Sequence, residues 1–253
     1  MIFLSVVIPA YNEAAKIQRD LESLFAYLQS RPFTAEALIV SDGSTDRTAE
    51  IARSLAGPGR SVRILTLDRN RGKGRAVKAG VMAARGRFIL TADAGTCVPY
   101  DNLERGLALL ESGRYDAALG SRVVAGAVIR RRQPGYRRAG ARVFRGTVRL
   151  TMGIRNVTDT QCGFKLFERT AGQAVFARNR IDGFMYDLET VLNARRLGLR
   201  LAEFPVDWTN DPDTRLSLID GVMRNVKDLV RLRLRFMGKS REGGSPWNTS
   251  ANS

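Results

Sequence analysis

Histidine is absent from the 253 residues, so no imidazole can act as base, acid or metal ligand. Carboxylates are the natural bases that remain. Cysteine is scarce: Cys97 and Cys162 form neither a metal-ligand spacing nor a disulfide framework, which fits a reducing compartment. No apolar run reaches the roughly 18 residues of a membrane span, so no transmembrane helix is expected. The apolar start, Met1 to Ile8, lacks a basic leader and a small-residue cleavage site and runs straight into Pro9. It reads as a buried strand rather than a signal peptide. Acid is in short supply. Against 41 Lys and Arg stand 25 Asp and Glu, a net charge of +16, which favours an anionic partner: nucleic acid, a membrane surface with acidic lipids, or phosphorylated small molecules.

What is present is the composition of a soluble globular chain, 44% hydrophobic and 26% charged, long enough to bury a sizeable core. Strand-like and helix-like segments alternate through the first half, as a sheet with crossover helices requires. Phe3–Ile8, Ala37–Val40, Val62–Leu67, Phe88–Thr91 and Tyr115–Leu119 read as strands. Glu13–Gln29 reads as a helix with Ile17, Leu21, Leu24, Phe25 and Leu28 on one face, and Arg75–Ala84 as another. Beyond Arg122 the pattern changes, and arginines accumulate from Arg130 to Arg149 without an intervening acid. Arg137–Met152 reads as a basic helix with Ala141, Phe144, Val148 and Met152 inward. A short strand Phe164–Phe167, helices Arg169–Ala177 and Met185–Leu197, and a strand Leu201–Trp208 follow. Arg215–Phe236 is amphipathic, with Leu216, Ile219, Val222, Val226, Leu229 and Val230 on one face. The Gly-, Ser- and Asn-rich end from Gly238 reads as a disordered tail.

Four stretches carry candidate chemistry. Phe88–Thr91 delivers a lone carboxylate, Asp93, to the carboxyl end of a strand, where ligands of open α/β sheets gather; the alternative is a simple turn cap. Pro9-Ala10-Tyr11-Asn12-Glu13 offers a ring that can stack on a base and an acid at a helix start, or is a plain strand-to-helix turn. Ser41-Asp42-Gly43-Ser44-Thr45-Asp46 places Asp42 to accept from a base or ribose, with Ser44 and Thr45 as helix caps. Asn70-Arg71-Gly72-Lys73-Gly74 lacks the Gly-Lys-Ser/Thr ending of a P-loop, so ATP hydrolysis is not indicated, yet Lys73 is well placed to meet a diphosphate. Further on, Thr158–Lys165 carries Asp159, a candidate general base if it faces the same cleft as Asp93. Asp187 and Glu189 begin a helix, where an acid is favourable in its own right.

Taken in order, these segments together with Gly120-Ser121-Arg122 and Asp159-Thr160-Gln161-Cys162-Gly163-Phe164-Lys165 resemble the family-two glycosyltransferases. Within them the chain is most similar to the polyprenyl (dolichyl) phosphate glucosyl- and mannosyltransferases, over about Phe3 to Phe236. The resemblance implies a GT-A fold, a Rossmann-like mixed α/β sheet flanked by helices. It implies a nucleotide-sugar donor (UDP-glucose, or GDP-mannose), Mg2+ or Mn2+, and inverting transfer to a polyprenyl phosphate. By position Pro9, Tyr11, Glu13, Asp42, Lys73, Asp93, Ala94 and Gly95 would meet the donor, with Asp93 on the metal. Gln161, Arg122 and Arg138 would meet the acceptor, and Asp159, Asp93 and Arg122 would act in catalysis. A phosphate acceptor is already ionised at pH 7, so little base strength is required.

One departure stands out, because relatives carry Asp-x-Asp in the metal loop and this chain has Gly95 at the second position. Magnesium often manages with one or two carboxylates plus phosphate oxygens, so Asp93 alone can suffice. The alternative is a catalytically impaired relative that binds nucleotide-sugar or membrane. The expected layout is one glycosyltransferase domain over residues 1–212, with a nucleotide-sugar half (about 1–122) and an acceptor half (about 123–212). A basic amphipathic helix (213–237) and the tail (238–253) follow. The basic second half suits an anionic membrane, giving a cytoplasmic enzyme held peripherally at its inner face, possible membrane-protein partners included. Nucleic acid is not expected, since aromatics are not interleaved with the arginines.

Overall fold

The computed structural model describes residues 1–131, 135–154, 156–210 and 218–237. Nine strands and eight α-helices follow in the order β1 (Leu4–Ala10), α1 (Ile17–Gln29), β2 (Ala35–Ser41), α2 (Thr48–Ser54), β3 (Ser61–Thr66), α3 (Lys73–Ala83) and β4 (Phe88–Thr91) among the described residues. A 3-10 turn (Tyr100–Asn102) then leads into α4 (Leu103–Glu111), β5 (Ala117–Ser121), β6 (Val128–Arg131) and α5 (Gly135–Met152). The chain continues through β7 (Lys165–Glu168), α6 (Arg169–Ala177), α7 (Tyr186–Arg196), β8 (Leu201–Pro205), β9 (Asp207–Thr209) and α8 (Leu218–Met237).

Seven strands form one sheet in the order β3-β2-β1-β4-β7-β5-β8, and β6 pairs with β9 in a small second sheet. All strands of the large sheet run the same way except β7, which is antiparallel to both β4 and β5. That reversal positions the site. Because Thr91 pairs with Lys165, the segment entering β7 arrives beside the carboxyl end of β4.

Alternation along the central strands feeds two cores, as expected of a sheet covered on both faces. Leu4, Val6 and Ile8 of β1 join Leu21, Leu24, Leu103 and Leu107 on one face. Val7 joins Val77, Val81, Phe176 and Leu188 on the other. The expected strands are all present, with shifted ends. The single strand expected over Leu201–Trp208 is instead two, because after Pro205 the chain leaves β5 and pairs with β6, a strand the sequence pattern does not show. The first helix starts at Ile17 rather than Glu13, since the Glu13 carbonyl accepts the N–H groups of Lys16 and Ile17 in a preceding turn. Ser44 and Thr45 do not cap α2. They lace to Asn12 across the sheet edge, and Asp46 accepts the Thr48 N–H at 3.0 Å instead.

The basic helix expected over Arg137–Met152 is α5, and Val148 is buried with Phe144 and Met152 against it. In α8 the residues expected on one face divide. Leu229, Leu232 and Phe236 pack inward, whereas Val226 and Val230 are about half exposed, at 53% and 54%. The roll is fixed by Arg235, which pairs with the fully buried Glu189, and by Arg196 stacked 3.9 Å over the Phe236 ring. Leu216 and the tail 238–253 lie outside the described residues, and the side chains of Ile219 and Val222 are likewise outside them. Among the described residues no helix is long and apolar enough to cross a membrane.

Candidate active site

The carboxyl ends of β1, β2, β4 and β5, with the loop entering β7, surround a cleft of about 1490 Å³. Pro9, Tyr11, Glu13, Asp42, Lys73, Asp93, Ala94, Arg122 and Gln161, all expected in the site, line it. Tyr11 is 42% exposed, its ring free to face a flat ligand. Asp42 is buried and tied: its two oxygens accept the N–H groups of Arg71 and Gly72, each at 2.8 Å. It thereby clips the Lys73 loop to the end of β2.

At the base of the cleft Lys73 Nζ meets Asp93 Oδ1 at 2.6 Å. Burial disfavours both charges, but each partner outweighs it: the Lys73 ammonium is held above, and the Asp93 carboxyl below, its ordinary range. A Cβ on Gly163 would lie 2.3 Å from Asp93 Oδ1, so only glycine lets the β7 loop approach this carboxylate. Thr91 fastens that loop by donating to the Gly163 carbonyl at 2.9 Å.

A second ion pair sits alongside. Arg122 Nε and Nη2 donate to Asp159 Oδ2 and Oδ1 at 2.7 and 2.8 Å, and the N–H groups of Arg122 and Gln161 add two more bonds. Burial opposes ionisation of Asp159, yet Arg122 holds its carboxyl below the usual range. With both oxygens occupied and its proton affinity lowered, Asp159 has the geometry of a holding group, not of the general base expected from the sequence. Its reward is a fixed guanidinium, 5.6 Å from the Trp208 ring and facing the cleft.

Besides Asp159, which is buried and reaches the cleft only through Arg122, two expected residues are not brought in. Gly95 is not among the residues lining the cleft: with φ +105 it turns its N–H to buried Asp20 of α1, at 2.5 Å. Arg138 is exposed on α5, because Val148 and Phe144 set the roll of that helix and turn Arg138 outward. Among the lining residues not assigned a site role from sequence are Trp208, Phe184 and Asp187, the last paired with fully buried Lys165. Burial pushes the Asp187 carboxyl above its usual range, with Lys165 and Lys73 only partly offsetting it. Asp187 was legible as an acid at a helix start; what the sequence does not show is that the first turn of α7 faces inward.

No group of three or more acidic, His or Cys side chains is arranged for a metal among the described residues. The fit is therefore to a cation that takes one carboxylate from the protein. Asp93 offers that: its side chain is 39% exposed and Lys73 holds only Oδ1. Hard oxygen ligation of this kind suits Mg2+ or Mn2+ completed by diphosphate oxygens and water.

The fold and this site define a nucleotide-sugar transferase of the GT-A type. The model of Glycosyl transferase family 2 matches residues 5–176, and the chain belongs to that family. It is 31% identical over 250 residues to a dolichyl-phosphate beta-glucosyltransferase of Dictyostelium discoideum, covering 93% of this chain and 75% of that one. A Homo sapiens protein of the same name is 32% identical over 246 residues, covering 92% and 76%. Among solved structures, glucosyl-3-phosphoglycerate synthase from Mycobacterium tuberculosis, in complex with Mn2+, UDP and glucosyl-3-phosphoglycerate, shares the fold. Its TM-score is 0.66 at 20% identity, covering 96% of this chain and 82% of that one.

Proposed function

We propose that the protein is an inverting hexosyltransferase that moves glucose from UDP-glucose to a polyprenyl phosphate at an anionic membrane surface, GDP-mannose being the next donor. The observation that carries this reading is the convergence in one cleft of the Lys73–Asp93 pair and of Arg122, held from behind by buried Asp159. The names of the relatives supply the sugar and the acceptor, and similarity over 92–93% of this chain and 75–76% of theirs lends no support to an impaired binding protein.

In this reading the half over about 1–122 holds the donor and that over about 123–212 the acceptor, with Arg122 at the boundary reaching across. The nucleoside lies against Pro9, Tyr11, Glu13 and Asp42, and Lys73 faces the diphosphate. Asp93 holds Mg2+ or Mn2+, which when bound neutralises charge on the leaving nucleoside diphosphate. Arg122, oriented by Asp159, binds the acceptor phosphate with Gln161 and Trp208 beside it. A phosphate oxygen attacks the anomeric carbon from the face opposite the diphosphate. The new C–O bond forms as the old one breaks, and the electron pair leaves on the diphosphate, where Lys73 compensates the charge. No proton has to be removed, which reconciles a transferase without histidine and with its Asp159 occupied. Turnover on a lipid acceptor places the enzyme peripherally at the cytoplasmic face of a membrane, alone or with a membrane-protein partner.

The test is transfer of labelled glucose from UDP-glucose to polyprenyl phosphate in detergent, with and without manganese, alongside GDP-mannose and UDP-N-acetylglucosamine. Label in a β-linked glucosyl phosphate lipid supports the reading. No lipid product from any donor overturns it.

A further inference from the structure

Glu203 is an acid on a strand whose neighbours are apolar. In β8, Phe204 packs into the core on one side of the sheet and Leu201 against the core on the other. Alternation puts Glu203 on the face of Leu201, and across the ladder it pairs with Leu119 of β5, which is buried in that second core. A half-buried carboxylate at such a position opposes folding unless its oxygens are engaged.

One loop engages them. Glu203 Oε2 accepts the Thr158 N–H at 2.8 Å, and Oε1 accepts the Asp159 N–H at 3.0 Å. The Thr158 hydroxyl lies 3.0 Å from both oxygens, with the Ser121 hydroxyl 3.3 Å beyond it. A single carboxylate thus fixes two successive peptide planes, and the side chain that leaves the backbone there is buried Asp159, which grips Arg122 through Nε and Nη2. Glu203 itself is not among the residues lining the cleft.

We propose that Glu203 is a positioning residue for transfer: through the backbone of Thr158 and Asp159 it sets the Asp159 carboxylate, and so the plane in which Arg122 meets the acceptor phosphate. Asp159 takes the Nε–Nη2 edge of the guanidinium and leaves the Nη1–Nη2 edge for a ligand. Bidentate pairing with a phosphate through that edge works only in a set plane, so a small rotation weakens both bonds together. A Glu203 that merely fastened the loop for folding would, on removal, lower stability and leave acceptor kinetics alone. The inference rests on the reading in which Arg122 meets an acceptor phosphate, while the hold on Arg122 is measurable without any reaction.

The experiment compares the full-length wild type with Glu203→Gln, Arg122→Lys and the double variant, using a short polyprenyl phosphate in detergent and UDP-glucose. Glutamine keeps the shape of Glu203 but turns an amide NH2 toward one of the two N–H groups. The KM for the acceptor should rise about 10-fold in Glu203→Gln, the size of loss that follows removal of an outer partner from an oriented binding group. UDP affinity by calorimetry should stay within about two-fold, and Glu203→Gln should add no more than that in the Arg122→Lys background, because the two residues act in series. The Arg122 Nε–H, followed by NMR, should exchange with solvent at least about 10-fold faster in Glu203→Gln as its bond to Asp159 loosens. An unchanged acceptor KM or unchanged exchange, an equal loss of UDP affinity, or a full further loss in the Arg122→Lys background would each overturn the inference. Should Glu203→Gln not fold, Thr158→Val, which removes only the hydroxyl link, is expected to raise the acceptor KM about three-fold, and an unchanged value overturns the inference in its place. A wild type that transfers to no lipid phosphate, alongside faster Arg122 exchange in Glu203→Gln, would instead overturn the proposed reaction and leave the hold of Glu203 on Arg122 standing.

Discussion

Asp159 grips Arg122 with both carboxylate oxygens, at 2.7 and 2.8 Å, from a side chain only 3% exposed. A planar fork held in this way presents its remaining face in one orientation, which a lysine on a flexible stem does not do. Arg122→Lys and Asp159→Asn should therefore each lower kcat/KM for the acceptor about 100-fold while leaving UDP affinity in place. The double variant should be little worse than either single one, because the two act as a unit. If Asp159 were instead the base, Asp159→Asn would abolish kcat and remove an acidic limb from the wild-type pH profile.

Gly163 stands so close to Asp93 that an added methyl group would occupy the carboxylate's place. Its backbone is not in the left-handed region, so Gly163→Ala is a steric probe and not a conformational one. The expected outcome is a fold of near-normal stability with transfer reduced at least about 10-fold, as Asp93 is pushed from Lys73. Retained activity in a purified, folded variant would show that the Lys73–Asp93 contact has no part in turnover.

Gly95 lies where a second acid would stand, but at φ +105, a conformation that costs a side chain roughly 1–3 kcal/mol. Gly95→Asp is therefore expected to lower the melting temperature. If its carboxylate reaches the cation, half-maximal activity should come at a lower manganese concentration. A titration of activity against manganese separates the two effects, since strain alone moves only the melting temperature.

Much of this was legible because alternation and strand-end acids are local signals. Leu4, Val6 and Ile8 against Val7 announce a doubly covered strand, and Asp42 and Asp93 fall at strand ends by spacing alone. What escaped depends on contacts between distant segments. Nothing local to Val128–Arg131 reveals β6, whose partner β9 is remote in sequence. The pairing of Asp159 with Arg122 arises because β7 is inserted backwards between β4 and β5. Spacing groups Val226 and Val230 with Leu229, but apolar residues cover more than one face of α8, and which of them turns inward is decided by the Glu189–Arg235 pair.

Glu189 also links α8 to the donor loop. It is fully buried and accepts the N–H groups of Arg180 and Ile181 at 2.8 to 3.0 Å while pairing with Arg235. The next carbonyl along, that of Asp182, accepts the Gly74 N–H at 2.7 Å, beside Lys73. Glu189→Gln leaves Arg235 without its counter-charge and should cost about 3 kcal/mol. UDP binding by calorimetry is expected to weaken about 5- to 10-fold as the 180–183 segment loosens. Destabilisation with unchanged UDP affinity would confine Glu189 to holding the helix.

Asp20 sets a pH dependence of unusual sign. Burial pushes its carboxyl up to about 6, against the Gly95 N–H that favours the charged form, and Oδ1 is buried with no hydrogen-bond partner. In the unfolded chain the group ionises near about 3.9. Between those values the folded state binds the extra proton, so stability is present at the acid end of the window and lost as pH rises through about 6. The loss should amount to about 2 to 3 kcal/mol. Below about pH 4 the trend reverses, because Asp93 and Asp159, where lysine and arginine partners outweigh burial, must then be protonated. Denaturant unfolding of the wild type should thus show falling stability from pH 4 to 6.5, and Asp20→Asn should make that limb shallower, the remainder coming from Asp187, whose carboxyl burial also raises. A wild type whose stability rises across the same window would mean that Asp20 is ionised in the fold, held there by a partner on the metal loop.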